Sequence, residues 1–203
     1  MLPKIYPITD TRISKISLAA QVERLIDGGA AFIQLREKYA SPRDFYEAAK
    51  AALAIARKRD VKIIINDRVD IALALKADGV HLGQDDLPPE CARRILGEKA
   101  IIGFSTHNFE QAAAALKKPI DYLAFGPVFA TQTKENPDPT VGIENLKKVR
   151  KIIENFPLVA IGGITSENFL EVWQAGADSV AVISDLISES DGITEKMRFF
   201  LNL

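Results

Sequence analysis

Tyr122-Leu123-Ala124-Phe125-Gly126-Pro127-Val128-Phe129-Ala130-Thr131-Gln132-Thr133-Lys134 reads as a short buried strand running into a loop. Four apolar residues stand without polar alternation, and Gly-Pro stops them. A strand that is apolar on both faces is one covered on both faces, as parallel strands beneath helices are. The loop that follows carries two threonine hydroxyls and an ammonium at T-x-T-K spacing. Hydroxyl donors beside a cation match a multiply charged oxyanion such as phosphate. Loops at the C-terminal ends of parallel strands are also where α/β proteins build their sites.

The same design recurs outward in both directions. Further short apolar runs occupy residues 5–9, 32–35, 62–65, 79–82, 100–104, 158–161 and 179–183. Between them lie amphipathic or alanine-rich segments. In residues 17–27, Leu18, Val22, Leu25 and Ile26 recur near the helical period. Residues 42–58 begin after Ser41, an N-cap, with Pro42 at the first helical position. Residues 67–75, 89–96, 109–116, 143–153, 167–174 and 194–201 complete the set, with Asn108 and Ser166 as N-caps for two of them. Gly28-Gly29-Ala30, Lys76-Ala77-Asp78-Gly79 and Ala175-Gly176-Ala177-Asp178 are short helix-to-strand returns of similar make. Eight strand–helix units in 203 residues predict an α/β fold, a (β/α)8 TIM barrel in a single domain over residues 1–203. The rival is a doubly wound open sheet. It rarely needs so many units, and no G-x-G-x-x-G follows the first strand. The proline- and aspartate-containing stretch at 135–139 is the expected mobile loop.

With 47% hydrophobic residues the chain can bury one sizeable core. A net charge of -1 and a pI near 6.2 provide no global basic field for nucleic acid, so any anion must be met by local positive charge. The single cysteine, Cys91, excludes an intrachain disulfide and suits a reducing, cytoplasmic setting. Residues 1–6 lack the basic and apolar regions of a leader, and no apolar run reaches the ~18 residues of a membrane span.

The polar residues where each apolar run stops are the candidate site. After the second run come Gln34, Arg36 and Lys38, on one face at period two. A guanidinium fork beside an ammonium suits diphosphate oxygens; the alternative is a rim salt bridge from Arg36 to Glu37 or Asp44. Asp67 ends the third run and Asp85-Asp86 follow the fourth. Asp67 could cap a helix, but carboxylates from neighbouring strand ends suit Mg²⁺ completed by substrate phosphate oxygens. Asp86 is the preferred second ligand, with Asp85 turned outward. Ser105 could donate to a phosphoryl oxygen or cap a turn. Nothing in the sequence positions a partner for His107, and His81, inside its run, reads as a hydrogen-bonded barrel residue. Gly162-Gly163 and Ser184 end the last two runs, where barrels recurrently bind phosphate on backbone N–H groups. Two anion regions result. One joins Arg36, Lys38, Ser105, Lys134 and a carboxylate-held metal, and the other uses Gly163 and Ser184.

Taken together, Tyr6-Pro7-Ile8-Thr9-Asp10, Gln34-Leu35-Arg36-Glu37-Lys38, Ile65-Asn66-Asp67-Arg68-Val69-Asp70, Gly79-Val80-His81-Leu82-Gly83-Gln84-Asp85-Asp86, Gly103-Phe104-Ser105-Thr106-His107, Gly126-Pro127-Val128-Phe129 with Thr131 to Lys134, Ala160-Ile161-Gly162-Gly163-Ile164 and Ala181-Val182-Ile183-Ser184 resemble the thiamine-phosphate synthase family. The motifs stand in the family's order and span almost the whole chain. The resemblance implies an enzyme, a transferase. It would couple 4-amino-2-methyl-5-hydroxymethylpyrimidine diphosphate to 4-methyl-5-(2-phosphoethyl)thiazole or its carboxylated form, giving thiamine phosphate and pyrophosphate. The diphosphate leaves first and the thiazole nitrogen then attacks the cation. The resemblance further implies Arg36, Lys38, Asn66, Ser105 and Lys134 on the diphosphate, Gln34 at the pyrimidine end, Asp67 and Asp86 on Mg²⁺, and Thr131, Thr133, Gly163 and Ser184 on the thiazole phosphate. No nucleic-acid or membrane partner is implied, and the oligomeric state is left open. Phe104 stands where a small aliphatic residue is usual, and Ala130 and Gln132 where other residues, such as proline, often stand. A related thiazole tautomerase carries His at the position of Pro127 and lacks part of the diphosphate set. Pro127 therefore points to the synthase. A tautomerase-like paralogue and a non-catalytic phosphate-ligand sensor are the alternatives.

Overall fold

In a computed structural model, residues 2–133 and 138–202 are described. The strands are β1 (Ile5–Pro7), β2 (Phe32–Leu35), β3 (Lys62–Asn66), β4 (Gly79–Leu82), β5 (Ile101–Thr106), β6 (Tyr122–Phe125), β7 (Leu158–Ile161) and β8 (Ser179–Val182). The helices are α1 (Thr11–Ser14), α2 (Leu18–Asp27), α3 (Pro42–Lys58), α4 (Val69–Leu75), α5 (Pro89–Leu96), α6 (Phe109–Ala115), α7 (Gly142–Ile153), α8 (Phe169–Gln174), α9 (Ser184–Ile187) and α10 (Ile193–Leu201).

All strand pairings are parallel, in the order β1-β8-β7-β6-β5-β4-β3-β2. An isolated parallel bridge between Ile8 and Gln34 joins the two ends of this order. There the Thr9 N–H donates to the Gln34 carbonyl at 2.9 Å, and the Arg36 N–H donates to Thr9 Oγ1 at 3.2 Å. The sheet is a barrel, and the open-sheet alternative falls.

The helices start where the local chemistry directs. Ser17 Oγ accepts the Ala20 N–H at 3.2 Å, Ser41 Oγ the Asp44 N–H at 3.1 Å, and Asn108 Oδ1 the Gln111 N–H at 2.8 Å. Each satisfies a backbone donor that the first turn leaves orphaned. Ser166 is a correction: it caps nothing. Its N–H donates to Asp185 at 2.9 Å, and α8 starts later, at Phe169, with Asn168 in the cap position. The first strand run ends at Pro7 rather than residue 9, whereas β5 continues past Phe104 because Ser105 and Thr106 stay in register with Ala124 and Phe125 of β6.

Two apolar layers result. The outer one packs helix faces, such as Phe45, Ala49, Ala52 and Leu53 of α3, onto outward strand residues such as Ile33, Ile63 and Ile65. Each large side chain removed from water there contributes roughly 1.5–3 kcal/mol. The inner layer is small: Tyr6, Ile8, Phe32, Ile64, Tyr122, Ala124, Val159 and Ala181. It plugs the barrel and forms the floor under the C-terminal strand ends.

Candidate active site

The strand ends surround one cavity of about 520 Å³. Gln34, Arg36 and Lys38 line it from β2, Asn66 and Asp67 from β3, and Asp86 from the loop after β4. Ser105 lines it from β5, Thr131 and Thr133 from the loop after β6, and Gly163 and Ser184 from the ends of β7 and β8. Lys134 and residues 135–137 of the expected mobile loop lie outside the described residues. The cavity floor is apolar at Ile8, Ala124, Val159, Ile161 and Ala181.

Arg36 makes an ion pair, but with neither acid expected from sequence. Its partner is Asp10, just after β1, and the two side chains are only 11% and 8% exposed. Asp10 is held in turn as the N-cap of α1, accepting the N–H groups of Arg12 at 2.9 Å and Ile13 at 3.2 Å. Glu37 instead accepts from the Thr11 hydroxyl, and Asp44 accepts from Ser41 Oγ at 2.6 Å. The guanidinium is thereby fixed before any anion arrives.

On the neighbouring strand ends, Lys38 pairs with Asp67. Asp67 adopts φ 61°, a left-handed conformation that aspartate tolerates better than most residues, and its N–H donates to the His81 carbonyl at 2.8 Å. It caps no helix: Arg68 occupies the cap position of α4, without a side-chain bond. Asp86 Oδ2 accepts the Gly83 N–H at 2.7 Å; Asp85 is exposed but, contrary to the outward orientation expected of it, also lines the cavity. Burial raises the Asp86 carboxyl above the ordinary carboxylate range; the Gly83 N–H pulls it back, and adjacent Asp67 pushes it up further. Two mutually repelling, partly desolvated carboxylates fit a hard divalent cation. Among the described residues no cluster of three or more His, Cys, Asp or Glu could hold a metal. Two carboxylates are a donor set that Mg²⁺ can use, since it keeps waters and shares substrate oxygens.

The far wall requires glycine. Gly162 has φ 99° and Gly163 φ 63°. A Cβ on Gly162 would sit 2.4 Å from Pro127 Cβ, and one on Gly163 would sit 2.5 Å from the Ala130 carbonyl oxygen. The glycines let the loop after β6 dock on the end of β7, where the Val128 N–H donates to Ile161 O at 2.9 Å and the Phe129 N–H to Gly162 O at 3.0 Å. That contact places Thr131 and Thr133 beside Gly163 and Ser184, and the four also border a neighbouring depression of about 600 Å³ that reaches Arg12 and Lys15.

Under the cavity runs a chain of polar groups in which Tyr6 and Tyr122, which the sequence shows only as parts of apolar runs, link Gln34 to His81 and Ser105. Gln34 Nε2 donates to the Tyr6 hydroxyl at 3.0 Å, and the Tyr6 and Tyr122 hydroxyls are 2.9 Å apart. Tyr122 lies 3.0 Å from His81 Nδ1, and His81 Nε2 is 2.8 Å from Ser105 Oγ. The only sequence signal for it is a tyrosine or histidine inside an otherwise aliphatic strand. Burial lowers the His81 pKa from 6.5 to about 4, opposed by Asp86 and assisted by Lys38. Below pH 6.5 the unfolded imidazole takes up a proton that the folded one refuses, so this contribution to stability is lost as pH falls from 6.5 towards 4. The expected loss is up to about 3 kcal/mol. Denaturant unfolding across that window should show a smaller loss in His81→Gln than in the parent; equal losses would refute it. His107 is a rim residue: its Nδ1 lies 2.7 Å from the Gly126 carbonyl, which only an N–H can satisfy, and its Nε2 is 3.6 Å from Asp138.

Comparison with known proteins adds a family to this geometry. A family model described as thiamine monophosphate synthase matches residues 5–186. A thiamine-phosphate synthase of Koribacter versatilis is 47% identical over 191 residues, covering 92% of this chain and 90% of that protein. One from Syntrophomonas wolfei is 46% identical over 197 residues, covering 96% and 94%. The solved thiamine phosphate pyrophosphorylase of Pyrococcus furiosus superposes with a TM-score of 0.86 at 39% identity, covering 98% of this chain and 94% of that one.

Proposed function

The chain belongs to the thiamine monophosphate synthase family, and on that footing we propose how its cavity carries out the transfer. The activity is thiamine-phosphate synthesis, a transferase reaction on small pyrimidine and thiazole substrates. The carbon–oxygen bond of 4-amino-2-methyl-5-hydroxymethylpyrimidine diphosphate breaks, and its electron pair leaves with the diphosphate. The nitrogen lone pair of 4-methyl-5-(2-phosphoethyl)thiazole, or of its carboxylated form, then makes the new carbon–nitrogen bond.

The difficult moment is charge separation, so the useful groups are those that hold the departing diphosphate. Arg36, fixed by Asp10, offers a planar fork of donors. Lys38, Asn66 and Ser105 line the same side of the cavity and add an ammonium and two neutral donors. Gln34 stands at the pyrimidine end. Asp67 and Asp86 would hold Mg²⁺, which when bound supplies further positive charge to diphosphate oxygens. Thr131, Thr133, Gly163 and Ser184 take the thiazole phosphate. The apolar floor around Ala124, Val159 and Ala181 keeps water from the pyrimidine cation. No protein base is required, in keeping with a buried, neutral His81 and a His107 tied to a carbonyl.

The observation that carries this reading is the convergence of the diphosphate set and the glycine-hydroxyl set on one cavity. Among the described residues no helix is long and apolar enough to cross a membrane, and a cytoplasmic location goes with the reading through the single cysteine. A tautomerase would turn over the thiazole carboxylate phosphate alone, which NMR of that single substrate would reveal; the expected result is no change without the pyrimidine diphosphate. A sensor would bind without turnover, and calorimetry beside a product assay separates it. Lys134→Ala should lower turnover at least ~10-fold, or ~1.4 kcal/mol of barrier, by removing an ammonium from the diphosphate. Unchanged kcat and kcat/KM would reject that role.

A further inference from the structure

We propose that Tyr6, Tyr122 and His81 form a one-directional hydrogen-bond relay that starts at the Gln34 amide and presents the Ser105 hydroxyl to the cavity as a donor.

The direction follows from counting protons. The Gln34 amide nitrogen can only donate, so the Tyr6 oxygen accepts from it. Tyr6 must then place its own proton, and its other hydrogen-bond partner among the described residues is the Tyr122 oxygen. Tyr122 therefore donates onward to His81 Nδ1. An imidazole accepting at Nδ1 carries its proton on Nε2, and that proton goes to Ser105 Oγ. Because Ser105 accepts in that bond, its own O–H is left free to turn towards the cavity it lines. Reversing the middle of the chain, or placing a second proton on His81, would leave the buried Tyr6 proton without an acceptor, at a cost of roughly 1–3 kcal/mol. The fully opposite direction would need the Gln34 amide turned over, and would put the His81 proton on Nδ1.

The surroundings are shaped for this chain. Tyr6, Gln34, Tyr122 and His81 are each at most 6% exposed. The His81 and Tyr122 rings stack at 5.5 Å between centroids. Gly103, in the middle of β5, makes the space: a Cβ there would lie 2.0 Å from Tyr122 Cζ and 2.5 Å from His81 Nδ1. Glycine weakens a strand interior, and here it marks the close approach of two polar rings.

Tyr6, Tyr122 and His81 are thus positioning residues acting through Ser105. A hydroxyl already oriented as a donor needs no reorganisation when an anion develops charge. The value of that donor for turnover rests on the functional reading above; the direction of the relay does not.

The chain has two histidines, so ¹⁵N-histidine NMR of the whole protein at neutral pH reads the relay directly, with His107→Gln assigning the signals. The expected result is a His81 ring protonated on Nε2 alone, beside a His107 that carries an N–H on Nδ1 towards the Gly126 carbonyl. Tyr122→Phe should release the His81 tautomer into a mixture. It should lower kcat ~10-fold, less than the ~10²–10³-fold of removing such a donor outright because Ser105 keeps its hydroxyl, with the KM for thiazole phosphate unchanged. Tyr6→Phe, which leaves the Tyr122 proton on His81, should keep the Nε2 tautomer and lose less. A wild-type His81 protonated on Nδ1 or on both nitrogens would overturn the proposal, as would a Tyr122→Phe protein unchanged in tautomer and kcat. The expected tautomers in a protein with no transferase activity would uphold the relay and sink the functional reading.

Discussion

Arg36→Ala should lower kcat/KM for the pyrimidine diphosphate ~10²–10³-fold, the range found when one preorganised donor to a developing anion is removed. The change also strands Asp10, whose side chain is 8% exposed, and breaking a buried pair from one side costs about 3–5 kcal/mol. Activity and stability must therefore be read apart. Arg36→Lys keeps a cation for Asp10 but loses the fork that matches two phosphate oxygens at once. It should regain most of the stability and little of the turnover. Asp10→Asn should do the reverse in part: it loosens the guanidinium without removing its charge, and the drop in turnover should be smaller than in Arg36→Ala. Denaturant unfolding beside steady-state kinetics checks all three, and a fully active Arg36→Lys would show that charge alone suffices.

Asp67→Asn should reduce turnover at saturating substrates ~100-fold and shift the Mg²⁺ dependence to higher concentration, because a neutral amide is a poor ligand for a hard cation. Asparagine is the informative replacement because it tolerates the left-handed backbone that residue 67 adopts at φ 61°, so the loss reports ligation rather than strain. Asp86→Asn should behave alike and also remove the repulsion between residue 86 and Asp67. A metal titration is the measurement, and an unaltered Mg²⁺ curve in either variant would reject that carboxylate as a ligand. Chelation of the parent protein should abolish turnover and leave its unfolding midpoint nearly unchanged, since the carboxylates already have Lys38 and the Gly83 N–H as partners.

The barrel was legible because each strand announces itself twice, by an apolar run and by the polar residues that end it. Residues 42–58 and 89–96 were bounded correctly for a local reason: Ser41-Pro42 and Pro88-Pro89 dictate the first turn whatever packs above it. The four-residue helices α1 and α9 are too short to show a period. Ser166 was misread because the acceptor that claims its N–H, Asp185, is 19 residues away.

The site divides in the same way. Each candidate end residue within the described chain lines the cavity, because the C-terminal ends of eight parallel strands open at the same mouth of the barrel. Their partners were not visible. Asp10 meets Arg36 only because the barrel closes between β1 and β2, and closure is a property of the whole sheet. The tyrosines of the relay have the same burial as their apolar neighbours, so only their hydroxyls distinguish them. Thr131 and Thr133, by contrast, owe their place to Gly162 and Gly163, whose pairing was evident in sequence and whose φ angles admit little else.

The most direct measurement is formation of thiamine phosphate from the pyrimidine diphosphate and the thiazole phosphate, followed with pyrophosphate release across an Mg²⁺ titration. One pyrophosphate should be released per thiamine phosphate formed. Product should depend on Mg²⁺, and none should form when either substrate is omitted. Folded protein that makes no thiamine phosphate at any Mg²⁺ concentration would contradict it.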